Sequence, residues 1–419
     1  MSPVLPFDIF TLIIDIAGEN EDTDLLKVLA LVSHSFLQIC SKHLFATIEL
    51  ENLSWSSSKR GFVKLLQSRP DVVKYIRKLT YDFGDEDDLI PTRYRSFDDE
   101  GFPLSSILPN FLRSIPHLNC LRITNSIFDP NDWNKMDSSL TSALLHLMHL
   151  PTINRIDLSF IENFPLSSLI TCVNLLQLKI ITLSMGHDDD DSFEIVQSEV
   201  MPKLREFHTS GSSVQTRKLL RAKMQDGRPA FNLMNLRRLS LYADEYEDKS
   251  NFPYLLRNAK LLEELRLHSR EGILVGFHDI LSPIAWTLKV LHLTSTIYFD
   301  HTSFDIVSTR TRRFCEDLEA MAGHNVLEAL KIMVNCEPHR LREGYIDDFI
   351  GTTVQKVVEV LVKPGWSALR QVSFKVTRGP GIRVELEALT DICLSHLSKL
   401  ESVQVAFSCT NKTSRVGIF

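Results

Sequence analysis

Few side chains in this sequence combine the type and spacing that chemistry needs. His187-Asp188-Asp189-Asp190-Asp191 brings four carboxylates and an imidazole together, as a divalent cation would want. Consecutive carboxylates point in different directions, and the run lacks the spaced ligands and the glycine of a calcium loop. It reads as a solvated loop, and so does Asp85-Glu86-Asp87-Asp88. The 14 histidines form no His-x-x-x-His pair on one helix face. His146 and His149 are three apart and read as one structural and one exposed side chain. Any Cys–His pair would have to be brought together by the fold.

The phosphate-binding loops Gly-x-x-x-x-Gly-Lys-Ser/Thr and Gly-x-Gly-x-x-Gly are absent, as is a Gly-x-Ser-x-Gly nucleophile elbow. Arg378-Gly379-Pro380-Gly381 suits a turn, and Thr209-Ser210-Gly211-Ser212-Ser213 reads as a polar loop. The expectation is a protein that is not an enzyme and has no catalytic residue, metal site or cofactor.

One charged stretch stands out. Segment 203–238 carries nine basic and two acidic residues. Within it, Arg217, Lys218 and Arg221 share one side if the stretch is helical, with Lys223 and Arg228 following. The plain reading is a solvated helix face. The functional reading is a substrate-binding patch of Arg217, Lys218, Arg221 and Lys223 for an acidic or phosphorylated partner. Arg310, Arg312 and Arg313 make a smaller cluster of the same kind.

The elements that must position these groups follow from composition and periodicity. Across 419 residues, 44% are hydrophobic and 24% charged, as in an ordinary globular protein. The net charge of -7 argues against general nucleic-acid binding. Seven scattered cysteines contain no CxxC pair, which fits reduced thiols rather than a disulfide framework or zinc ligands. The apolar run Ile9–Ala17 is broken by Asp15 and has no basic flank, so the expectation is an intracellular protein, cytoplasmic or nuclear, without membrane association.

The first 50 residues read as three short helices. Phe7, Phe10, Ile13, Ile14 and Ala17 recur at helical spacing, and Gly18 reads as a stop. Thr23 or Asp22 can cap a second helix with Leu25, Leu26, Leu29 and Val32 on its apolar side. Ser33 can cap a third, carrying Phe36, Leu37, Cys40 and Leu44. A core this small usually needs a partner or a neighbouring domain.

Leu5-Pro6, Leu25-Leu26, Leu31-Val32-Ser33-His34-Ser35-Phe36 and His43-Leu44-Phe45 together resemble an F-box. Phe36 stands where that family commonly has Trp, and the acidic insert Gly18–Asp24 is a little long. Ala46–Leu50 resembles the short strand that leads from an F-box into its repeats in fungal members.

The rest of the chain repeats apolar-x-x-apolar-x-apolar, the strand portion of a leucine-rich repeat. Good instances are Leu118/Leu121/Ile123, Ile153/Ile156/Leu158, Leu175/Leu178/Ile180, Leu236/Leu239/Leu241, Leu262/Leu265/Leu267 and Leu288/Leu291/Leu293. Others are Leu327/Leu330/Ile332, Leu369/Val372/Phe374 and Leu400/Val403/Val405, with weaker ones at Ile76/Leu79/Tyr81 and Leu204/Phe207/Thr209. Their spacing runs from 22 residues (Ile153 to Leu175) to 42 (Ile76 to Leu118), against about 20–29 in ordinary repeats. Helical patterns fill the gaps, at Leu108–Ile115, Phe314–Ala322 and Phe349–Leu361.

The expected fold is α/β: an F-box-like three-helix module over 1–50, an irregular leucine-rich-repeat-like solenoid over 51–410, and a tail over 411–419. The alternative is an ordinary α/β domain. The resemblance implies a substrate-recognition adaptor of a Skp–cullin–F-box ubiquitin ligase. Its module would bind a Skp-family adaptor, and through it a cullin, with Leu5, Pro6, Ile9, Ile13, Val32 and Phe36 at the motif positions. Its repeats would hold a protein substrate. Two rivals remain: a protein-interaction scaffold whose N-terminal helices merely cap the array, and an enzyme on an irregular α/β fold.

Overall fold

The computed structural model describes residues 6–50, 68–83, 104–125, 131–184, 200–243, 253–269, 277–299, 303–323, 325–338, 345–378, 386–400 and 402–411. The chain divides into two compact units. The first comprises Met1–Pro202 and Arg221–Phe231; the second comprises Lys203–Leu220 and Asn232–Phe419.

The first unit opens with α1 (Phe7–Glu19), α2 (Thr23–Ala30) and α3 (His34–Leu44). Asp22 caps α2 by accepting from the Leu25 N–H, and Ser33 caps α3 by accepting from the Phe36 N–H. Ile14, Ala17, Leu26 and Cys40 form the buried core of the three helices, with Leu29, Ala30, Phe36, Ile39 and Leu44 packed around it. Leu25 and Val32 were expected on the inner side of α2, but both are exposed. The inner side is Leu26, Leu29 and Ala30 instead.

Gly18 does not end α1, which continues through Glu19. Its role is close approach: a Cβ on Gly18 would overlap the His43 ring. That ring lies across α1 with Nε2 2.8 Å from Asp15 Oδ1, and Lys42 Nζ sits 2.6 Å from the same oxygen. The hydrogen bond from Lys42, then that of His43, holds the Asp15 carboxyl below its usual range. Gly18→Ala is therefore expected to displace His43 and cost about 1–3 kcal/mol, the usual range for overpacking. Amide exchange over residues 7–44 should speed up in the variant; unchanged protection would show that His43 moves aside freely.

Five strands follow in one parallel sheet in the order β1 (Thr47–Leu50), β2 (Lys78–Asp82), β3 (Cys120–Thr124), β5 (Arg155–Glu162) and β6 (Gln177–Ser184). The two-residue β4 (Asn131–Asp132) pairs with the end of β5. The connecting helices are α4 (Leu104–Arg113), α5 (Ser138–Met148) and the four-residue α6 (Ser167–Ile170).

The second unit holds a parallel sheet of seven strands in sequence order. They are β7 (Glu206–Ser210), β8 (Arg238–Ala243), β9 (Glu264–Ser269), β10 (Val290–Phe299), β11 (Ala329–Pro338), β12 (Gln371–Arg378) and β13 (Gln404–Asn411). Its helices are α7 (Ser213–Arg221), α8 (Phe277–Leu281), α9 (Ser303–Met321), α10 (Tyr345–Leu361) and α11 (Leu386–Leu397).

Ten of the eleven apolar templates fall on strands in the expected frame, one each on β2, β3 and β5 to β12; on β13 the inward residues in register with Val372 and Phe374 are Val405 and Phe407, two residues on from the expected frame, and Val403 precedes the strand. The first template residue lies just before its strand and is buried in every case from Ile76 to Leu400. The residue after it repeats one hydrogen-bond device. Its carbonyl accepts two successive N–H groups from the start of the next strand. Arg77 O takes Asn119 and Cys120; Arg237 O takes Glu263 and Glu264; Glu328 O takes Arg370 and Gln371. Parallel neighbours are thereby held in register whatever the length of the crossover.

The other two template positions point inward and stack across the sheet. In the first unit Ile48, Leu79, Leu121, Ile156 and Leu178 are register partners in turn. In the second, Phe207, Leu239, Leu265, Leu291, Leu330, Val372 and Val405 form one row. Leu239, Leu265 and Leu291 thus make the expected ladder, each at most 1% exposed. The crossovers explain the uneven spacing. The 4-residue α6 serves the shortest repeat, whereas the 19-residue α9 and 17-residue α10 serve long ones. Val354, Val357, Val358 and Leu361 bury one face of α10, and Phe314, Leu318 and Met321 do so in α9.

Candidate functional site

The N-terminal helices carry an unusual surface. Among the described residues, the exposed large apolar side chains between Phe7 and Val32 are Phe7, Ile9, Leu12, Ile13, Ile16, Leu25, Val28, Leu31 and Val32. Leu31 is 88% exposed, Val32 64%, Ile13 44% and Ile9 40%. The remaining described chain, several times longer, shows only nine more. Ile9, Leu12, Ile13 and Ile16 follow the i, i+3, i+4, i+7 rule, so α1 carries a second apolar stripe beside the one it buries. A surface helix normally has one such stripe; a second marks a face awaiting a partner.

The residues matched to the motif divide between the two roles. Pro6, Ile9, Ile13 and Val32 are exposed. Phe36 is half-buried, packs on the core, and has ring contacts to Phe10 at 5.3 Å and Phe7 at 6.3 Å. Phe36 therefore braces the helices from within. Leu5 lies outside the described residues, as do His187–Asp191, Asp85–Asp88, residues 379–381 and the tail beyond Asn411. Leu12, Ile16 and Val28 lie outside the motif residues, although the spacing of the first two was readable, and Leu31 belongs to the motif step without having been assigned a contact.

The basic stretch is arranged differently from the expectation. Arg217, Lys218 and Arg221 do lie on α7, which ends there, while Lys223 lies beyond it in an antiparallel bridge to Pro229. Arg217 and Lys218 belong to the second unit, Arg221 and Lys223 to the first. Arg217 and Lys218 are half-buried; Arg221 and Lys223 are exposed. Part of the charge excess has a structural use. Arg228 pairs with Asp226 at 2.5 Å, Arg237 with Glu263 at 3.3 Å, and Arg238 with Glu206 at 2.8 Å. Glu206 and Glu263 lie on neighbouring repeats, so these arginines neutralise acids across the sheet. Arg310, Arg312 and Arg313 lie within α9, and Arg312 pairs with Glu316 at 3.7 Å.

Other expectations are corrected in detail. Thr209 and Ser210 end β7, and Ser213 begins α7, so only a turn at Gly211 remains of the polar loop. Thr209 Oγ1 is buried, 2.7 Å from Thr216 Oγ1. His146 and His149 are both exposed, and His149 Nε2 lies 2.8 Å from Thr171 Oγ1. Burial pushes the Cys172 thiol up to about 12 and that of Cys315 to about 11, so neither is a ready thiolate.

Both sheets carry charge on the face opposite their buried rows. In the first unit, buried Asp157 accepts from Arg155 Nη2 at 2.9 Å and Arg122 Nη2 at 3.2 Å. Its register partner Lys179 is half-buried, and burial holds that amine below its usual range. In the second unit, Glu264 takes Arg266 Nη2 at 2.7 Å and Arg238 Nε at 3.6 Å. His292 Nε2 is 3.5 Å from Glu264 and is the register partner of both Arg266 and Lys331. Burial first, then the charges of Lys331 and Arg266, pushes His292 down to about 4 despite Glu264.

That shift has a signed consequence. A folded pKa of about 4 lies below the unfolded value near 6.5. Between those values the unfolded chain holds a proton that the folded chain does not, so stability falls as pH drops through the window. His292→Gln should remove this contribution. Urea midpoints at pH 7 and pH 5 should differ less for the variant than for the native chain; equal differences would place His292 outside the balance.

No group of three or more His, Cys, Asp or Glu suited to a metal ion occurs among the described residues. No described helix is long and apolar enough to cross a membrane. No family model matches this chain, and no curated protein matches it in sequence.

Proposed function

We propose that this chain is the substrate-recognition subunit of a Skp–cullin–F-box ubiquitin ligase. In this reading α1 to α3 form an F-box-like module that binds a Skp-family adaptor and, through it, a cullin. The strands and helices that follow form a leucine-rich-repeat-like solenoid that holds an acidic or phosphorylated protein substrate. The chain does no covalent chemistry; it raises the effective concentration of substrate beside the ligase.

The observation that carries this reading is the second apolar stripe of α1, with Val28, Leu31 and Val32, left exposed on a module whose buried core is only four residues. Exposed apolar side chains at this density are costly unless a partner covers them. Three of them, Ile9, Ile13 and Val32, are residues that the F-box resemblance assigns to adaptor contact.

A second reading keeps the interaction surface and drops the ligase. The Ala46 carbonyl accepts from Arg77 and Lys78, and β1 pairs with β2, so the helices are joined directly to the first sheet as a cap would be. A cap, however, needs a polar outer face, and Ile9, Leu12 and Ile16 do not supply one. Affinity purification of the tagged chain from its own cells, with mass spectrometry, separates the two. The adaptor reading expects a Skp-family protein and a cullin in stoichiometric yield; their absence favours the scaffold.

A further inference from the structure

Four of the seven large apolar side chains that the second unit exposes among its described residues fall in three consecutive repeats: Met234, Tyr254, Leu261 and Trp286. Trp286 is 66% exposed and Met234 58%. They gather along the edge where the strands begin. There the Arg237 N–H donates to the Arg205 carbonyl, the Glu263 N–H to that of Arg237, and the Lys289 N–H to that of Glu263. Met234, Lys260 and Trp286 each stand three residues before one of these tied residues, so they hold equivalent places on neighbouring repeats. Adjacent strands lie about 4.8 Å apart, which puts Met234 and Trp286, two repeats apart, roughly 10 Å from each other. Leu261 follows Lys260 between them. Tyr254 and Arg257, one helical turn apart in the crossover before β9, share its exposed side.

The same edge is basic. Stretches 203–205, 234–237, 254–263 and 286–289 hold six basic side chains, all exposed, and one acid, Glu263. Glu263 engages Arg237 and Lys289. Lys203, Arg205, Arg257 and Lys260 make no ion pair among the described residues. The next acids inward, Glu206 and Glu264, are already met by Arg238 and Arg266. Exposed Glu328, one repeat beyond Lys289, bounds the patch. An apolar side chain exposed singly needs no explanation, but a cluster marks an interaction site. The interleaved lysines narrow what covers this one. Lysine is depleted in protein–protein interfaces. A bilayer surface takes Trp and Tyr at headgroup level and Lys and Arg against anionic lipids.

We propose that this edge rests on an anionic membrane surface, with Met234, Leu261 and Trp286 seated among the headgroups and Lys203, Lys260 and the neighbouring arginines against the lipid charges. Charge complementarity selects the occupant: four unpaired cations around an apolar row match a negative leaflet, and no shaped pocket is needed. Tyr254 supplies a second ring suited to the interface. A surface-lying edge needs no spanning helix, because its side chains enter only the headgroup and upper acyl region. The attachment is peripheral and reversible, and exposed attraction of this kind is screened within about 10 Å at 0.1 M salt. Membrane association was not expected from the sequence, where the argument concerned spanning runs alone. The inference goes beyond the ligase reading and needs neither the adaptor nor a protein substrate.

The test mixes the full chain with vesicles of phosphatidylcholine, either alone or with an equal part of phosphatidylserine, and sediments them. The chain should sediment with the mixed vesicles only, and less as salt rises. Lys203→Gln with Lys260→Gln should weaken that binding about 25-fold, at about fivefold for each cation. Trp286→Ser with Leu261→Ser should weaken it at least about tenfold. All four side chains are exposed, so the melting temperature should hold in both variants. Should the serine variant unfold, the glutamine variant decides alone. No sedimentation with the mixed vesicles, equal sedimentation with both kinds, or binding that survives the glutamine variant would overturn the proposal. A homopolymeric RNA that binds in place of the vesicles would assign the edge to nucleic acid and overturn it as well.

Discussion

Replacing Leu265 by Ala is expected to destabilise the second unit by about 2–5 kcal/mol, the range for truncating a buried leucine. Leu265 sits mid-row between Leu239 and Leu291, and all three are buried. Removing three carbons there opens a cavity walled by two register partners on strands tied to β9 at their starts: the Arg237 carbonyl accepts from Glu263 and Glu264, and the Glu263 carbonyl from Lys289 and Val290. A backbone pinned at each strand start cannot collapse into the gap, which places the cost in the upper part of that range. Urea unfolding should show a lower midpoint with an unchanged slope. A loss below about 1 kcal/mol would mean the row is not close-packed as described.

The second large effect concerns the module surface. Ile9→Asp with Val32→Asp should weaken binding to a Skp-family adaptor by at least about 30-fold, since one apolar anchor at an interface centre is typically worth about 2 kcal/mol. Both side chains are exposed and neither belongs to the core of Ile14, Ala17, Leu26 and Cys40. The melting temperature should hold or rise slightly, because the change removes exposed apolar surface. Phe36→Ala is the contrasting variant. Its ring packs inside the module against Phe10, so it should lower stability as well as binding. Should Ile9→Asp with Val32→Asp melt well below the native chain, those side chains belong to the fold rather than to an interface.

The strands were legible because each needs the same three apolar residues. One lies before the strand and two face inward at a period of two, and that pattern survives any length of crossover. Caps at Asp22 and Ser33 were legible because their partners, the Leu25 and Phe36 N–H groups, are three residues away. What was lost depends on which distant segments meet. Gly18 looked like a helix stop because nothing local announces that His43 will lie over it. The Asn131–Asp132 strand has no apolar pattern and exists through its register with Ile161 and Glu162. Arg237 and Arg238 looked like surplus charge, since their partners Glu263 and Glu206 become neighbours only when strands stack. The second stripe of α1 was written in the spacing of Ile9, Leu12, Ile13 and Ile16. It was obscured because Ile13 also fits the inner stripe, so the exposed residues around it read as background.

The proposed docking of a Skp-family adaptor on the N-terminal helices has a direct test. Calorimetric titration of the purified chain with a purified Skp-family protein tests it most directly. A one-to-one complex with Kd of about 1 μM or tighter is expected, with a negative heat-capacity change from burying the apolar stripe of α1. Absence of a complex at concentrations well above that, with the chain folded, would contradict it.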